Sequence, residues 1–224
     1  MNINEFLTKH YKLSSEESIA FIQEEEVLIN NKQAFQRQRL ERTDALSVQG
    51  VVIREAQQFL YYAFYKPRGI ECTLNNTIAD NLFSILPFEE HVFPIGRLDK
   101  ESEGLLILTN DGALYKDIAF AEKMKEKEYM VEVDRALTPD AIQQWTTGIV
   151  IKGEKTRPSF VSLIHEKSFR IILTQGINRQ IRRMCYKLGY EVTSLKRIRI
   201  TSILLGDLQP GEYRVLKKDD FIPY

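Results

Sequence analysis

Apolar and polar positions along this chain follow two rhythms, and the rhythm changes near residue 59. Residues 3–12, INEFLTKHYK, read as a short helix, and residues 14–25, SSEESIAFIQEE, as a second. Ser14 with Glu17 fits a capping box, and Ile19, Phe21 and Ile22 give the second helix an apolar side. VLIN (27–30) predicts a strand, Asn30-Asn31 a turn, and ALSVQGVVI (45–53) a hairpin. This helix–helix–strand–strand unit is small for an independent core. The polar stretch REAQQ (54–58) reads as a linker. From Phe59 the texture turns aromatic and β-prone in FLYYAFY, until KPRG breaks it. Further strands are expected at 104–109, 128–134, 159–164, 168–174, 197–204 and 212–216. Helices are expected at 113–120, 138–147 and 177–188, with Thr138-Pro139 as cap and first turn. Strands dominate and no regular βαβ rhythm appears, so the expected fold is α+β, built around a mixed sheet. The domains are placed at 1–57 and 58–224.

The helix expected at 177–188 is the most informative. At about 100° per residue, Ile177, Ile181, Met184, Cys185 and Leu188 form one stripe that faces a core. Cys185 then reads as a packed thiol, and Gly189 as the residue that ends the helix. Arg179, Arg183 and Lys187 gather on the opposite side, free to meet phosphates or water. Arg182 lies at the boundary of the stripe, on the same flank as Asn178. A boundary arginine snorkels, or finds a carboxylate or a backbone carbonyl.

Net charge is zero, but its distribution is uneven. Residues 1–26 hold two lysines against six glutamates, a balance of −4; residues 152–199 hold twelve Lys or Arg against three Glu, a balance of +9. A segment that basic attracts polyanions if its charges share a face. Lys196, Arg197 and Arg199 follow the helix directly and would extend such a surface. The chain has no run of 18 apolar residues, so no membrane span is expected. MNINEFLTKHYK lacks the apolar core of a signal peptide. Cys72 and Cys185 lie far apart, make no zinc pattern and no disulfide framework, and suit a reducing cytoplasm. His10, His91 and His165 form no cluster, and Trp145 reads as a packing residue.

The chemistry concentrates in FPIGRLDKESEGLLILTNDG (93–112), where a turn rich in charge precedes an apolar strand. By itself Asp99 is either an ordinary turn residue or a reactive carboxylate. The wider set of motifs decides between them. VFPIGRLDKESEGLLILTNDG, KEYMVEV, LTQGINRQIRRMCYKLGYEVTSLKRIRI and LGDLQPGEYRVL occur in an order and spacing that resemble the RsuA/RluF group of ribosomal RNA pseudouridine synthases. They look closest to its RluF-like, large-subunit branch. YKPRGIECT matches the element that opens the catalytic domain there. The first 55 or so residues resemble the small S4-type RNA-binding domain that usually precedes it.

The resemblance implies a role for each matching position. Asp99 corresponds to the catalytic aspartate, Tyr129 to the tyrosine that packs on the target base, and Arg182 to the basic partner of the aspartate. Arg97 corresponds to a loop arginine near the RNA strand, while Lys66 and Pro67 belong to a motif of mainly structural role. Asn178, Arg179 and Arg183 are further candidates for RNA contact. The implied fold is an S4-like domain followed by a bent, mixed sheet with flanking helices. The implied reaction converts uridine to pseudouridine with no cofactor and no metal. The expected partner is large-subunit ribosomal RNA or tRNA, without guide RNA, and the expected state is a monomer. One departure stands out: S4 domains usually open their second helix with an SRRE-like stretch, whereas this chain reads SSEES and closes the helix with EEE. Those glutamates would repel a phosphate backbone. A non-catalytic RNA-binding or ribosome-assembly protein, or a translation factor, would share the charge pattern. Such a protein has little use for a carboxylate inside a cationic cleft.

Overall fold

The structure, a computed structural model, describes residues 1–87, 91–119 and 124–221. The chain forms two compact units, Met1–Phe59 and Leu60–Tyr224.

In the first unit, helices α1 (Ile3–Tyr11) and α2 (Ser15–Glu24) precede strands β1 (Val27–Ile29), β2 (Lys32–Gln33), β3 (Leu46–Val48) and β4 (Val51–Arg54). The strands pair antiparallel in the order β2-β1-β3-β4. The expected capping box is present: Glu17 N–H donates to Ser14 Oγ at 3.1 Å, and Ser14 N–H to Glu17 Oε2 at 2.7 Å. That arrangement satisfies two of the donors a helix start leaves open. A second capping box, Asn2 with Glu5, opens α1. Ile3, Leu7, Ile22, Val27, Leu46 and Val48 close a small core.

The second unit runs β5 (Tyr61–Lys66), β6 (Phe93–Ile95), β7 (Glu103–Thr109), α3 (Gly112–Ala119), β8 (Lys127–Val133) and α4 (Pro139–Thr147). It continues through β9 (Val150–Ile151), β10 (Glu154–Lys155), β11 (Phe160–His165), β12 (Ser168–Leu173), α5 (Gln180–Lys187), β13 (Val192–Ile200), β14 (Ile203–Leu204) and β15 (Tyr213–Val215). The main sheet is ordered β11-β12-β8-β13-β7-β5-β15, with β14 on β13 and β6 on β7. All its pairs are antiparallel except β13 with β7, which meet in parallel at Lys196↔Glu103 and Arg197↔Gly104. The sheet is therefore mixed, as expected. Every residue of β5 is buried, as is β7 from Gly104 onward, so these two central strands read as apolar runs up to Lys66 and Thr109.

The larger core lies over β8, β12 and β13. Trp145 stacks on Phe169 with ring centroids 4.6 Å apart and donates its indole N–H to the Met184 carbonyl at 3.1 Å. Packing and a satisfied polar edge thus go together. Ile181, Met184 and Cys185 carry the α5 stripe into this core. Burial pushes the Cys185 thiol up to about 12, which makes it an inert packed side chain.

Several boundaries differ from the expected ones. α5 begins at Gln180 rather than 177, because Arg179 adopts a left-handed backbone (φ 55, ψ 36) that a helix interior cannot contain. The strand expected at 197–204 instead spans Val192–Ile200, since pairing with β8 begins at Val192↔Val133, and a left-handed Thr201 turns the chain into β14. Three elements escaped the pattern: β2, β6 and the β9–β10 hairpin, each two or three residues long. The helix expected at 113–120 spans Gly112–Ala119, and residue 120 lies outside the described residues.

Candidate functional site

The GRLD stretch forms the turn between β6 and β7. Ile95 and Leu98 are buried and anchor it, while Gly96 takes a positive φ of 73° that reverses the chain. Ser102 N–H donates to the Asp99 carbonyl at 3.0 Å and closes the turn. The Asp99 side chain is left 28% exposed at the edge of a recess of about 490 Å³. Tyr129, from β8, lines the same recess, as do Arg97, Asn178 and Arg179. Five of the seven candidate residues therefore converge, brought together from three separate segments.

Arg182 and Arg183 do not line this recess; they line a neighbouring one of about 680 Å³ that does not contain Asp99. The expected pairing of Arg182 with Asp99 is present only as electrostatic reach, without a direct ion pair. The guanidinium nearest Asp99 is that of Arg179, with Nη1 3.8 Å from Asp99 Oδ2 and 2.8 Å from Glu101 Oε2. Its left-handed backbone and position ahead of α5 carry it across to the turn. Arg182 takes another of the routes open to it, the backbone carbonyl. It donates to Val192 O at 3.2 Å, to Glu101 O at 3.1 Å, and to Ser102 Oγ at 3.4 Å. Arg182 thus braces the segment that carries Asp99 against the start of β13. Burial, and then the nearby Arg179 cation, hold Arg182 below the usual arginine value. Arg183 turns back onto Asn178, donating from Nε to the Asn178 carbonyl at 3.0 Å.

The charges expected to extend the basic surface behave differently. Arg197 is only 1% exposed, and it donates from Nε to the Leu105 carbonyl at 2.7 Å. Arg199 is neutralised by Glu126 at 2.9 Å and Glu128 at 2.6 Å. Lys196 lies 5.6 Å over the Tyr65 ring. Helix and strand therefore do not build one continuous cationic face. Alternation along β13 is the reason: Leu195 and Arg197 point to the same, buried side.

Two site residues escaped the sequence reading. Arg197 forms part of the recess wall, and its Nη2 is buried without a hydrogen-bond partner among the described residues. Lys127 also lines the recess, two residues before Tyr129 on β8. That spacing places both on one face of the strand, and it was the available signal. Burial, and then Arg197, lower the Lys127 ammonium to about 8. Lys66, in turn, is fully buried, donates to the Pro67 carbonyl at 2.8 Å, and lies within electrostatic reach of Asp99. Among the described residues, no group of three or more His, Cys, Asp or Glu side chains is arranged to hold a metal ion.

This is a mixed sheet with a carboxylate, an aromatic ring and several cations gathered in one recess, and comparison places it. The model of the RNA pseudouridylate synthase family matches residues 60–187, so the chain belongs to that family, whose members are isomerases. The dual-specificity RNA pseudouridine synthase RluF of Salmonella typhi is 39% identical over 222 residues, which span 98% of this chain and 77% of the relative. The RluF of Escherichia coli K12 is 38% identical over 224 residues, 99% of this chain and 77% of the relative. The ribosomal large subunit pseudouridine synthase B of Bacillus subtilis is 31% identical over 184 residues, 78% of this chain and 74% of the relative. A crystal structure of a pseudouridylate synthase superposes with a TM-score of 0.69 at 22% identity, covering 99% of this chain and 98% of that one. That likeness establishes the fold. No helix among the described residues is long and apolar enough to cross a membrane.

Proposed function

We propose that this enzyme isomerises one specific uridine in structured RNA, with Asp99 as the catalytic residue. Large-subunit ribosomal RNA is the first target class and tRNA the second. The observation that carries the reading is the placement of the Asp99 carboxylate. It is half-buried at the rim of a recess whose other charged walls include Arg97, Lys127, Arg179 and Arg197.

The reaction breaks the N1–C1′ bond, rotates the uracil, joins C5 to C1′, and exchanges the C5 proton for one on N1. Nothing is oxidised and no group is added. An ionised carboxylate held at the sugar–base junction meets the need for a nucleophile or base. Arg179 sets a positive charge 3.8 Å from that carboxylate. Tyr129 presents a ring to the uracil face. The target base must leave its stack to enter the recess, and the cations at the rim suit the phosphates on either side. Asp99, Tyr129 and the rim cations are proposed to carry the reaction without an added cofactor.

The test is carbodiimide primer extension on ribosomal and transfer RNA from cells with and without the gene, paired with tritium release from RNA labelled at uridine C5. Asp99→Asn is expected to bind RNA and to lower release by on the order of 10⁴-fold. Release at the parental rate would end the assignment.

The first unit supports an S4-like, RNA-binding reading of residues 1–57 by its order of elements, two helices and then a small antiparallel sheet. Its usual binding helix is acidic here: α2 carries Glu16 and Glu17 in its first turn and no basic residue in its last. Removing residues 1–57 is therefore expected to weaken RNA binding by less than about a hundredfold, or ~2.7 kcal/mol, in filter binding at matched salt. A larger loss would restore the usual role to this face. The enzyme is proposed to act as a cytoplasmic monomer.

A further inference from the structure

A second recess, of about 680 Å³, lies beside α5, and apart from Arg179 at its edge the proposed chemistry does not use it. Its walls are α5, the tip of the β9–β10 hairpin and the start of β13. Five cations line it, namely Lys152, Arg179, Arg182, Arg183 and Lys187, against one carboxylate, Glu191. The Asp99 recess is less one-sided, with Arg97, Lys127, Arg179 and Arg197 against Glu71 and Asp99.

The ring of Tyr186 stands in this recess with the residue 83% exposed, the most exposed large apolar or aromatic side chain among the described residues. An aromatic ring so placed, on a helix whose other side is core, awaits a flat partner. Lys152 and Lys187 are exposed, and their ammonium groups make no hydrogen bond or ion pair among the described residues. Lys152 also occupies the first central position of the Lys152-Gly153 hairpin turn, with φ 52. Asn or Gly fits that left-handed position more easily, so a lysine there carries a conformational cost. Arg179 lines both recesses.

We propose that this recess is a second RNA subsite. It takes the single-stranded nucleotides that flank the target uridine, with one base stacked on Tyr186 and the adjoining phosphates on Lys152 and Lys187. The proposal rests on the reading of the Asp99 recess as the uridine site. Ring plus unpaired cations is the composition that single strands favour: stacking tolerates any base, and the cations follow the backbone. A duplex offers no free base face to Tyr186.

The test measures binding of fluorescently labelled dodecauridylate and dodecaadenylate by anisotropy across a salt series, using the full chain. Tyr186→Ala is expected to weaken both oligonucleotides about ten-fold or more, and Tyr186→Phe to stay within about two-fold because the ring face is kept. The double variant Lys152→Ala with Lys187→Ala is expected to flatten the plot of log affinity against log salt by about 1.4, two phosphates on a single strand. All three side chains are exposed, so an unchanged thermal midpoint shows that the fold is kept. Loss confined to dodecauridylate would place Tyr186 in uridine recognition and overturn the proposal. So would an unchanged affinity in Tyr186→Ala, an unchanged salt slope in the lysine pair, or decaglutamate competing as well as RNA. Absence of tritium release from the parent enzyme would sink the uridine reading alone, since oligonucleotide binding is scored separately.

Discussion

The two recesses on either side of Arg179 are built differently. In the Asp99 recess the charged groups are held from behind. Arg197 is bonded to the Leu105 carbonyl, Lys127 is half-buried, and Asp99 sits in a turn that Arg182 braces from α5. In the α5 recess the lysines and the tyrosine stand free. Chemistry needs groups fixed to within fractions of an ångström, and buried partners provide that at the expense of desolvating charge. Binding a flexible strand needs surface charge and a ring face, which unfixed side chains supply. The first recess should then fail when its supports are disturbed, and the second only when its own side chains are removed.

The sharpest break in that contrast is Gly104→Ala. Gly104 has φ +105, and a Cβ there would stand 2.3 Å from the Arg197 carbonyl oxygen. Both the backbone conformation and the crowding resist a side chain at the point where β7 and β13 pair in parallel. A loss of about 3 kcal/mol or more is expected in urea unfolding. Gly112, at the start of α3 with open space around it, is the control: Gly112→Ala should change stability by under about 1 kcal/mol. Equal behaviour of the two would show that the junction yields, and that Arg197 is not held as described.

Next in size is the division of labour between Arg179 and Arg182. Arg179→Met removes the cation 3.8 Å from Asp99, and is expected to lower kcat about ten- to a hundredfold, with stability changed by under about 1 kcal/mol because the residue is well exposed. Arg182→Met leaves the Val192 and Glu101 carbonyls without their donor. It is expected to cost about 2 kcal/mol of stability, and a slower reaction should follow from the loosened turn. Kinetics and urea unfolding of both variants separate the roles. A reversed pattern would return the aspartate's partner to Arg182.

How much of this was legible beforehand follows the range of the interactions. The α2 cap, the α5 stripe and the packing role of Trp145 are local or periodic, and they could be read directly. Asp99 and Tyr129 were reached through motifs, and the fold then brings them to one recess. The burial of Arg197 was not legible, because KRIRI reads as a basic run until both neighbours of β13 are known. That Arg179, and not Arg182, makes the direct contact with Asp99 was hidden for a similar reason. Placing Arg179 on a regular helix sent its side chain to the wrong flank, whereas its left-handed backbone turns it toward Glu101. The α5 recess needed the β9–β10 hairpin, whose two-residue strands are too short to leave a periodic trace.

The smallest expected effect asks whether the Asp99 recess does desolvate charge. Burial, and then Arg197, lower Lys127 from the ordinary 10.5 to about 8. Between those values the unfolded chain holds a proton at this position that the folded chain has lost, so folding stability rises with pH across that window. Below about 8 the ammonium is charged in both states and its burial opposes folding in full. Above about 10.5 both states are neutral and the opposition is gone. Lys127→Met removes the charge outright. The variant should exceed the parent in stability by on the order of 1 kcal/mol at pH 7, a figure reduced for the water that still reaches the amine. That advantage should shrink steadily from pH 8 and vanish by about 10.5. Urea unfolding at pH 7, 9 and 10.5 measures it. A constant difference across the three would mean that Lys127 titrates as a free lysine does, and the recess would then be as wet as its neighbour beside α5.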